Sequence, residues 1–271
     1  EILSAVIAAM FARIPIAHLH GGELTEGVID EAIRHSVTKF SHLLFVASEE
    51  YRNRVIQLGE NPKHVFNVGG LGVDAIKHIN LLKKSELETS LEVKFKEKNL
   101  LVTFHPVTLE KETSTVQINE LLQALSDFKE TCLIFTMPNA DTDGRSIIKM
   151  VEQFASQHSN VHAFTSLGEL RYLSCIAQVD GVVGNSSSGL IEAPSFKKGT
   201  INIGDRQRGR LQATSIINCE PNQQDISDAI HTLYSPDFQM DLSKAFNPYG
   251  EGGASEKIVK VIKSIPLDGL V

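Results

Sequence analysis

Along the chain, short apolar runs alternate with longer stretches in which apolar residues recur every three or four positions. The short runs predict strands at 14–19, 43–47, 65–68, 100–104, 132–136, 161–164, 181–183 and 200–203. The longer stretches predict helices at 3–13, 29–40, 49–58, 116–128, 145–157, 167–177, 189–195, 224–234 and 254–264. Such alternation indicates an α/β fold with mainly parallel sheets. Between about 80 and 99 the pattern breaks, and Lys83, Lys84, Glu86, Glu88, Glu92, Lys94, Lys96, Glu97 and Lys98 crowd into a solvated helix or linker. The alternation then restarts, which predicts two doubly wound domains. Glu1 enters a helical pattern with no strand before it, so the first domain is expected to be incomplete at its start.

Composition narrows the classes. A chain of 271 residues, 42% hydrophobic and 22% charged, is that of a soluble globular protein. No apolar run is long enough to span a bilayer, and the apolar opening lacks a basic leader and a cleavage pattern, so it reads as a core helix and no membrane partner is expected. Cys132, Cys175 and Cys219 are odd in number and widely spaced, which fits reduced thiols in a cytoplasmic protein and offers no zinc spacing. A net charge of −7 argues against nucleic-acid binding, yet leaves room for an anionic small ligand held by local positive groups.

Six segments carry candidate chemistry. Gly184-Asn185-Ser186-Ser187-Ser188-Gly189-Leu190-Ile191-Glu192 follows an apolar strand and opens a helix. Serines there are expected to cap the helix, and free N–H groups at such a turn form a phosphate seat. Gly189 would let a ligand approach the backbone, and Glu192, one turn on, would accept hydrogen bonds from a ribose diol. An ordinary serine-rich cap accounts for these residues equally well. His105 ends the strand Thr103-Phe104-His105-Pro106, on the side where parallel sheets bind ligands, although a histidine that only closes the strand reads the same. Asn139 and Asp141 lie in the turn after the next strand, where turn formation alone explains them.

In the first domain, His18 and His20 precede the glycine turn Gly21-Gly22-Glu23, with no third ligand at metal spacing. Downstream, Ile29, Ala32, Ile33, Val37 and Phe40 form an apolar helix stripe, which leaves Glu31, Arg34, His35 and Thr38 together on the other side. A carboxylate held by Arg34 and His35 would be a positioned acid or base, while an exposed helical ion pair is the commoner arrangement. Arg206, Arg208 and Arg210 share one loop, either solvated or suited to neutralising phosphate.

Taken together, HLHGGELTEGVIDEAIRH, VGGLGVDAI, VTFHPVT, GNSSSGLIEAP, NIGDRQRGR and NPYGEGGASEKI resemble the hydrolysing UDP-N-acetylglucosamine 2-epimerase family, in its sialic-acid-pathway branch. They run in family order from about 18 to 258. The resemblance implies a glycosyltransferase-B-like α/β fold, two Rossmann-like sheets with the active site in the cleft. It divides the chain into 1–82 as part of the first domain, 83–250 as the UDP-binding domain and 251–271 as a helix returning to the first. It also implies further strand–helix units ahead of Glu1, with a glycine-rich loop and an acidic residue among the catalytic candidates.

Carried over by position, Ser186, Ser187 and Glu192 would hold the diphosphate and ribose of UDP, with His105 on the diphosphate. Tyr172 would lie near the uracil and Arg206 would line the cleft, while Asn139 is a candidate for nucleotide or sugar contact from its turn on the ligand side and not from the match. Glu31, with Asp30 beside it and Arg34 positioning it, matches an acidic residue implicated in catalysis. His20 stands where many relatives have a carboxylate, which leaves the acid and base unassigned. The reaction implied is elimination of UDP to a 2-acetamidoglucal followed by hydration, giving N-acetylmannosamine and UDP, without metal or redox cofactor. A UDP-linked 2,4-diacetamido-2,4,6-trideoxyglucose is an alternative substrate, and the family suggests a homodimer or homotetramer. Two other readings are a glycosyltransferase of the same architecture, which needs an acceptor, and an inactive UDP-sugar-binding fragment.

Overall fold

The computed structural model describes residues 2–24, 30–107, 111–138 and 142–266, which fall into two compact units. The first holds residues up to His78 together with Arg208–Arg210 and the stretch from Pro248. Its elements are α1 (Ile2–Phe11), β1 (Ala17–Leu19), α2 (Asp30–Phe40), β2 (Leu43–Val46), α3 (Glu49–Gln57), β3 (Val65–Asn67) and α4 (Leu71–His78). The three strands pair in parallel in the order β1-β2-β3. All four residues of β2 are buried, as a central parallel strand requires.

The second unit comprises α5 (Lys84–Leu91), β4 (Lys98–Thr103), α6 (Lys111–Ser126), β5 (Thr131–Thr136), α7 (Thr142–Gln157), β6 (Val161–Phe164), α8 (Gly168–Gln178), β7 (Gly181–Gly184), α9 (Ser188–Ile191), β8 (Gly199–Ile203), β9 (Ile216–Cys219), α10 (Gln223–Leu233) and α11 (Pro236–Leu242). The strands form one wholly parallel sheet in the order β6-β5-β4-β7-β8-β9. The chain therefore winds outward from β4 in one direction and, after returning to β7, outward in the other. That reversal puts the topological switch point between β4 and β7, where open α/β sheets bind ligands outside the carboxyl ends. Leu100, Val102, Leu133, Phe135, Val183 and Ile201 of the sheet are buried against Ile118, Leu121, Ile147 and Ile230 of the flanking helices.

A last helix, α12 (Ala254–Ser264), belongs to the first unit. Ala254 and Ile258 pack with Leu43, Phe45 and Val68. Its N-cap, Gly253, has no side chain to satisfy the free amides there. Asp74 of α4 does so instead, accepting from the amides of Gly253, Ala254 (2.8 Å) and Ser255 (2.9 Å) and from the Ser255 hydroxyl. Burial pushes its carboxyl pKa up, but these hydrogen bonds outweigh that and hold it at about 2. Because the folded pKa is depressed, this contribution is complete above the usual aspartate range and is lost as pH falls towards 2. Asp74→Ala is expected to cost about 2 kcal/mol, the upper range for a helix cap, with Asp74→Asn losing less. Urea unfolding of the variants at neutral pH measures this, and the gap from wild type should narrow in acid.

Three features depart from the sequence pattern. α4, β9 and α11 are absent from the sequence pattern, the first masked by Gly70 and Gly72, the other two by their shortness. The helix expected at 189–195 is one turn, α9, followed by a 3-10 turn at Ala193–Phe196. The apolar stripe of α2 is rotated from the expected face: Ala32 is exposed and Ile33 is 37% exposed, whereas Val37 and Thr38 are buried. Polar Thr38 turns inward because its hydroxyl meets Nδ1 of His18 at 3.1 Å. Ile29 lies outside the described residues. Among the described residues no helix is long and apolar enough to cross a membrane.

Candidate active site

In the second unit, β4 and β7 run side by side with Thr103 opposite Gly184. Gly184 has φ +133°, and a Cβ there would lie 1.9 Å from the Thr103 carbonyl oxygen, so only glycine lets the two strand ends meet this closely. Asn185, wholly buried, then bridges the strands: its Oδ1 accepts from the His105 amide at 2.7 Å and its Nδ2 donates to the His105 carbonyl at 2.8 Å. This two-point clamp fixes the backbone that carries His105. The Asn185 carbonyl accepts in turn from Arg206 (3.0 Å) and Gln207 (2.8 Å), which ties the arginine loop to the same turn.

The serines that follow do not cap α9 as expected. Ser187 is the N-cap residue but makes no side-chain cap bond, and Ser186 Oγ lies 3.4 Å from the Ser188 amide. Among the described residues, the Ser186 and Ser187 amides donate to nothing, and both residues are half-buried at the turn. Adjacent free amides beside a strand end make an anion seat. Gly189 has a different role from the one expected of it: it is buried against β8, where a Cβ would lie 2.5 Å from Thr200 Cγ2, and its carbonyl accepts from the Thr200 hydroxyl. It permits close packing of the turn on β8.

Next to this turn opens a cavity of about 400 Å³, lined by Thr103, His105, Glu169, Tyr172, Ser186 and Ser188 among others. The Tyr172 hydroxyl donates to Ser188 Oγ at 2.8 Å. Burial pushes its pKa up, and the charge of nearby Glu192 adds to this, so the hydroxyl stays protonated. The structure thus gathers His105, Ser186, Ser187, Tyr172 and Arg206 at one strand end, with Glu192 following the single turn of α9. Asn139 and Asp141 lie outside the described residues.

The first unit gathers a different chemistry. His20 leaves β1 in the left-handed region at φ +65°, and Gly22 follows at φ +78°. Glu23 comes next, only 5% exposed. Its Oε1 meets Nδ1 of His20 at 2.9 Å, and its Oε2 lies 3.6 Å from Arg210. Burial alone would raise the Glu23 pKa, but the His20 hydrogen bond and the charges of Arg210, His20 and Arg34 hold it below the usual carboxylate range. His18, beside them, is pushed down to about 4 by burial and by the Arg34 and His20 charges, so it is neutral at neutral pH. The Thr38 hydroxyl donates to the Arg34 carbonyl at 3.1 Å, which leaves its oxygen to accept from His18 Nδ1.

Sequence reasoning missed Glu23 as a site residue, because Arg210 approaches it from a distant loop. Three other expectations change. Arg34 does not hold Glu31; it donates to the Glu23 carbonyl at 2.9 Å. Arg210, expected in a loop either solvated or suited to phosphate, pairs with Glu23 at 3.6 Å. Among the described residues Glu31 pairs with His35, at 3.5 Å, both about one-third exposed, which is the commoner helical ion pair. Asp30 begins α2, and its side chain lies outside the described residues. Among the described residues no three His, Cys, Asp or Glu side chains are grouped to hold a metal ion.

Residues 1–263 match the UDP-N-acetylglucosamine 2-epimerase family. A relative from Campylobacter jejuni, named GDP/UDP-N,N'-diacetylbacillosamine 2-epimerase (hydrolyzing), is 42% identical over 273 aligned residues, covering 100% of this chain and 71% of that protein. The polysialic acid biosynthesis protein P7 of Escherichia coli is also 42% identical, over 97% of this chain and 67% of its own length. Among solved structures, the Neisseria meningitidis UDP-GlcNAc 2-epimerase bound to UDP-GlcNAc superposes with a TM-score of 0.83 at 18% identity, over 97% of this chain and 73% of that one, and so shares the fold. With its two parallel sheets and this match over nearly its whole length, the chain belongs to the UDP-N-acetylglucosamine 2-epimerase family and is an enzyme of the UDP-sugar 2-epimerase kind.

Proposed function

We propose that the protein is a hydrolysing 2-epimerase, which splits a UDP-linked 2-acetamido sugar and releases UDP with the free 2-epimeric sugar. The observation that carries this reading is the cavity lined by His105 and Ser186 at the switch point of the second sheet, beside the free amides of Ser186 and Ser187. The C2 proton of such a sugar is not activated by a carbonyl. Stabilisation of the departing diphosphate must therefore supply much of the rate, and preorganised donors do this without reorganising. The reaction runs by breaking the C1–O bond to UDP as the C2 proton leaves, followed by addition of water to the resulting 2-acetamidoglucal. Proton transfer at C2 falls to the first unit, where Glu31, Asp30 and His20 are the candidates. Tyr172, Glu192 and Arg206 are assigned to the nucleotide, as is Asn139. No metal or redox cofactor is needed for these steps.

UDP-N-acetylglucosamine, giving N-acetylmannosamine, is the substrate that the sequence motifs put first. The Campylobacter relative favours a second, UDP-2,4-diacetamido-2,4,6-trideoxyglucose, whose sugar lacks the 6-hydroxyl and carries a second acetamido group. Incubation of the protein with each UDP-sugar in water, with UDP release followed over time, separates them. The true substrate is expected to be turned over at least about tenfold more efficiently, the discrimination available from one or two pocket contacts. Turnover of neither without an added acceptor would point instead to a transferase.

A further inference from the structure

We propose that His20 and Glu23 act as one proton-transfer unit, in which Nε2 of His20 takes the proton from C2 of the sugar and Glu23 holds the ring. This rests on the epimerase reading above and assigns the base within it. Glu23 itself is poorly placed to meet a substrate: it is 5% exposed, and both carboxylate oxygens are engaged, one by His20 and one by Arg210. The His20 side chain, by contrast, is 34% exposed. An ionised carboxylate only accepts hydrogen bonds, so Nδ1 must carry the hydrogen between them. The lone pair of the neutral ring is then on Nε2, which has no partner among the described residues.

The backbone supports the same assignment. A non-glycine residue at φ +65° is uncommon, and such strain persists where the surroundings over-determine it. Two arginines from different helices grip successive carbonyls of this turn: Arg54 of α3 donates to Gly22 at 2.5 Å, and Arg34 of α2 to Glu23 at 2.9 Å. A Cβ on Gly22 would lie 2.5 Å from the Tyr51 carbonyl, so α3 also backs the turn directly. The pair is thereby aimed by parts that do not themselves react.

In the elimination, the C2–H bond breaks and its proton passes to Nε2, while its electron pair forms the C1–C2 double bond. The C1–O bond breaks, and its pair leaves on the diphosphate of UDP. The imidazolium so formed faces the Glu23 carboxylate through Nδ1–H, which stabilises the charge without moving a second proton. In the hydration, a water oxygen bonds to C1, its spare proton is lost, and an acid on the opposite face protonates C2. Of the imidazolium proton and the water proton, one restores that acid and the other is released with the extra negative charge of UDP.

Because glycine adopts the left-handed conformation freely, His20→Gly removes the ring without backbone cost and leaves a space for it. In the full-length protein, H20G is expected to lower kcat at least about a hundredfold, the scale for losing a general base, with UDP affinity unchanged. Added imidazole should restore turnover about tenfold or more in H20G, and should do nothing for His105→Ala. Glu23→Gln is expected to lower kcat about tenfold with KM unchanged, and H20G carrying E23Q should not respond to imidazole. His20→Asn, which tolerates the same conformation but carries no transferable proton, is the second variant and should be as slow as H20G. Turnover of H20G or H20N within about threefold of wild type, or an H20G that binds UDP but ignores imidazole, overturns the assignment. A wild-type protein that releases no sugar would instead sink the epimerase reading.

Discussion

Gly184→Ala is expected to unfold the second unit or open the end of its sheet, with a loss of about 4 kcal/mol and of measurable UDP binding. Two independent costs fall on the one added carbon. Its position 1.9 Å from the Thr103 carbonyl oxygen is deep inside van der Waals contact, and the neighbour is backbone that cannot swing away. The φ of +133° is also one that a side chain resists. Relief requires β7 to withdraw from β4, which breaks the pairing of Thr103 with Gly184 and pulls Asn185 off the His105 backbone. Urea unfolding with UDP titration reads both effects. A stable G184A with native UDP affinity would show that strand contact to be dispensable.

His105→Ala is the second large effect and a cleaner probe of chemistry, because Asn185 holds the His105 main chain and not its ring. The turn should therefore survive the substitution. UDP release is expected to slow about a hundredfold, the usual scale for removing one group that stabilises a leaving anion. Rapid-quench measurement of UDP from the first turnover checks this, since it excludes slow product release. An unchanged rate would remove the imidazole from the mechanism.

Much of the second sheet was legible in the sequence. Its strands are apolar on consecutive positions, as parallel strands covered on both faces must be, and turn residues mark their ends. His105 and Ser186 could be suspected from their places after such strands. What could not be read were contacts made across long loops. The Asn185 clamp spans 80 residues, and the capping of α12 by Asp74 spans 179. Neither leaves a periodic trace. The face of α2 was misjudged for a related reason: Arg34 and Thr38 are polar by type but turn inward to serve Glu23 and His18. Glu23 looked like the end of a glycine turn, and its importance lies in Arg210, which the chain brings to it from a loop after β8.

On the proposed reading, His105 and the Ser186–Ser187 turn receive the diphosphate, and His20 with Glu23 moves the proton at carbon. The most direct test runs the wild-type protein with its UDP-sugar in heavy water and examines the released sugar by proton NMR. The expected product is free sugar of manno configuration with deuterium at C2, formed together with UDP. Free sugar that keeps its gluco configuration and its original C2 hydrogen, or an epimerised sugar still joined to UDP, would contradict the account.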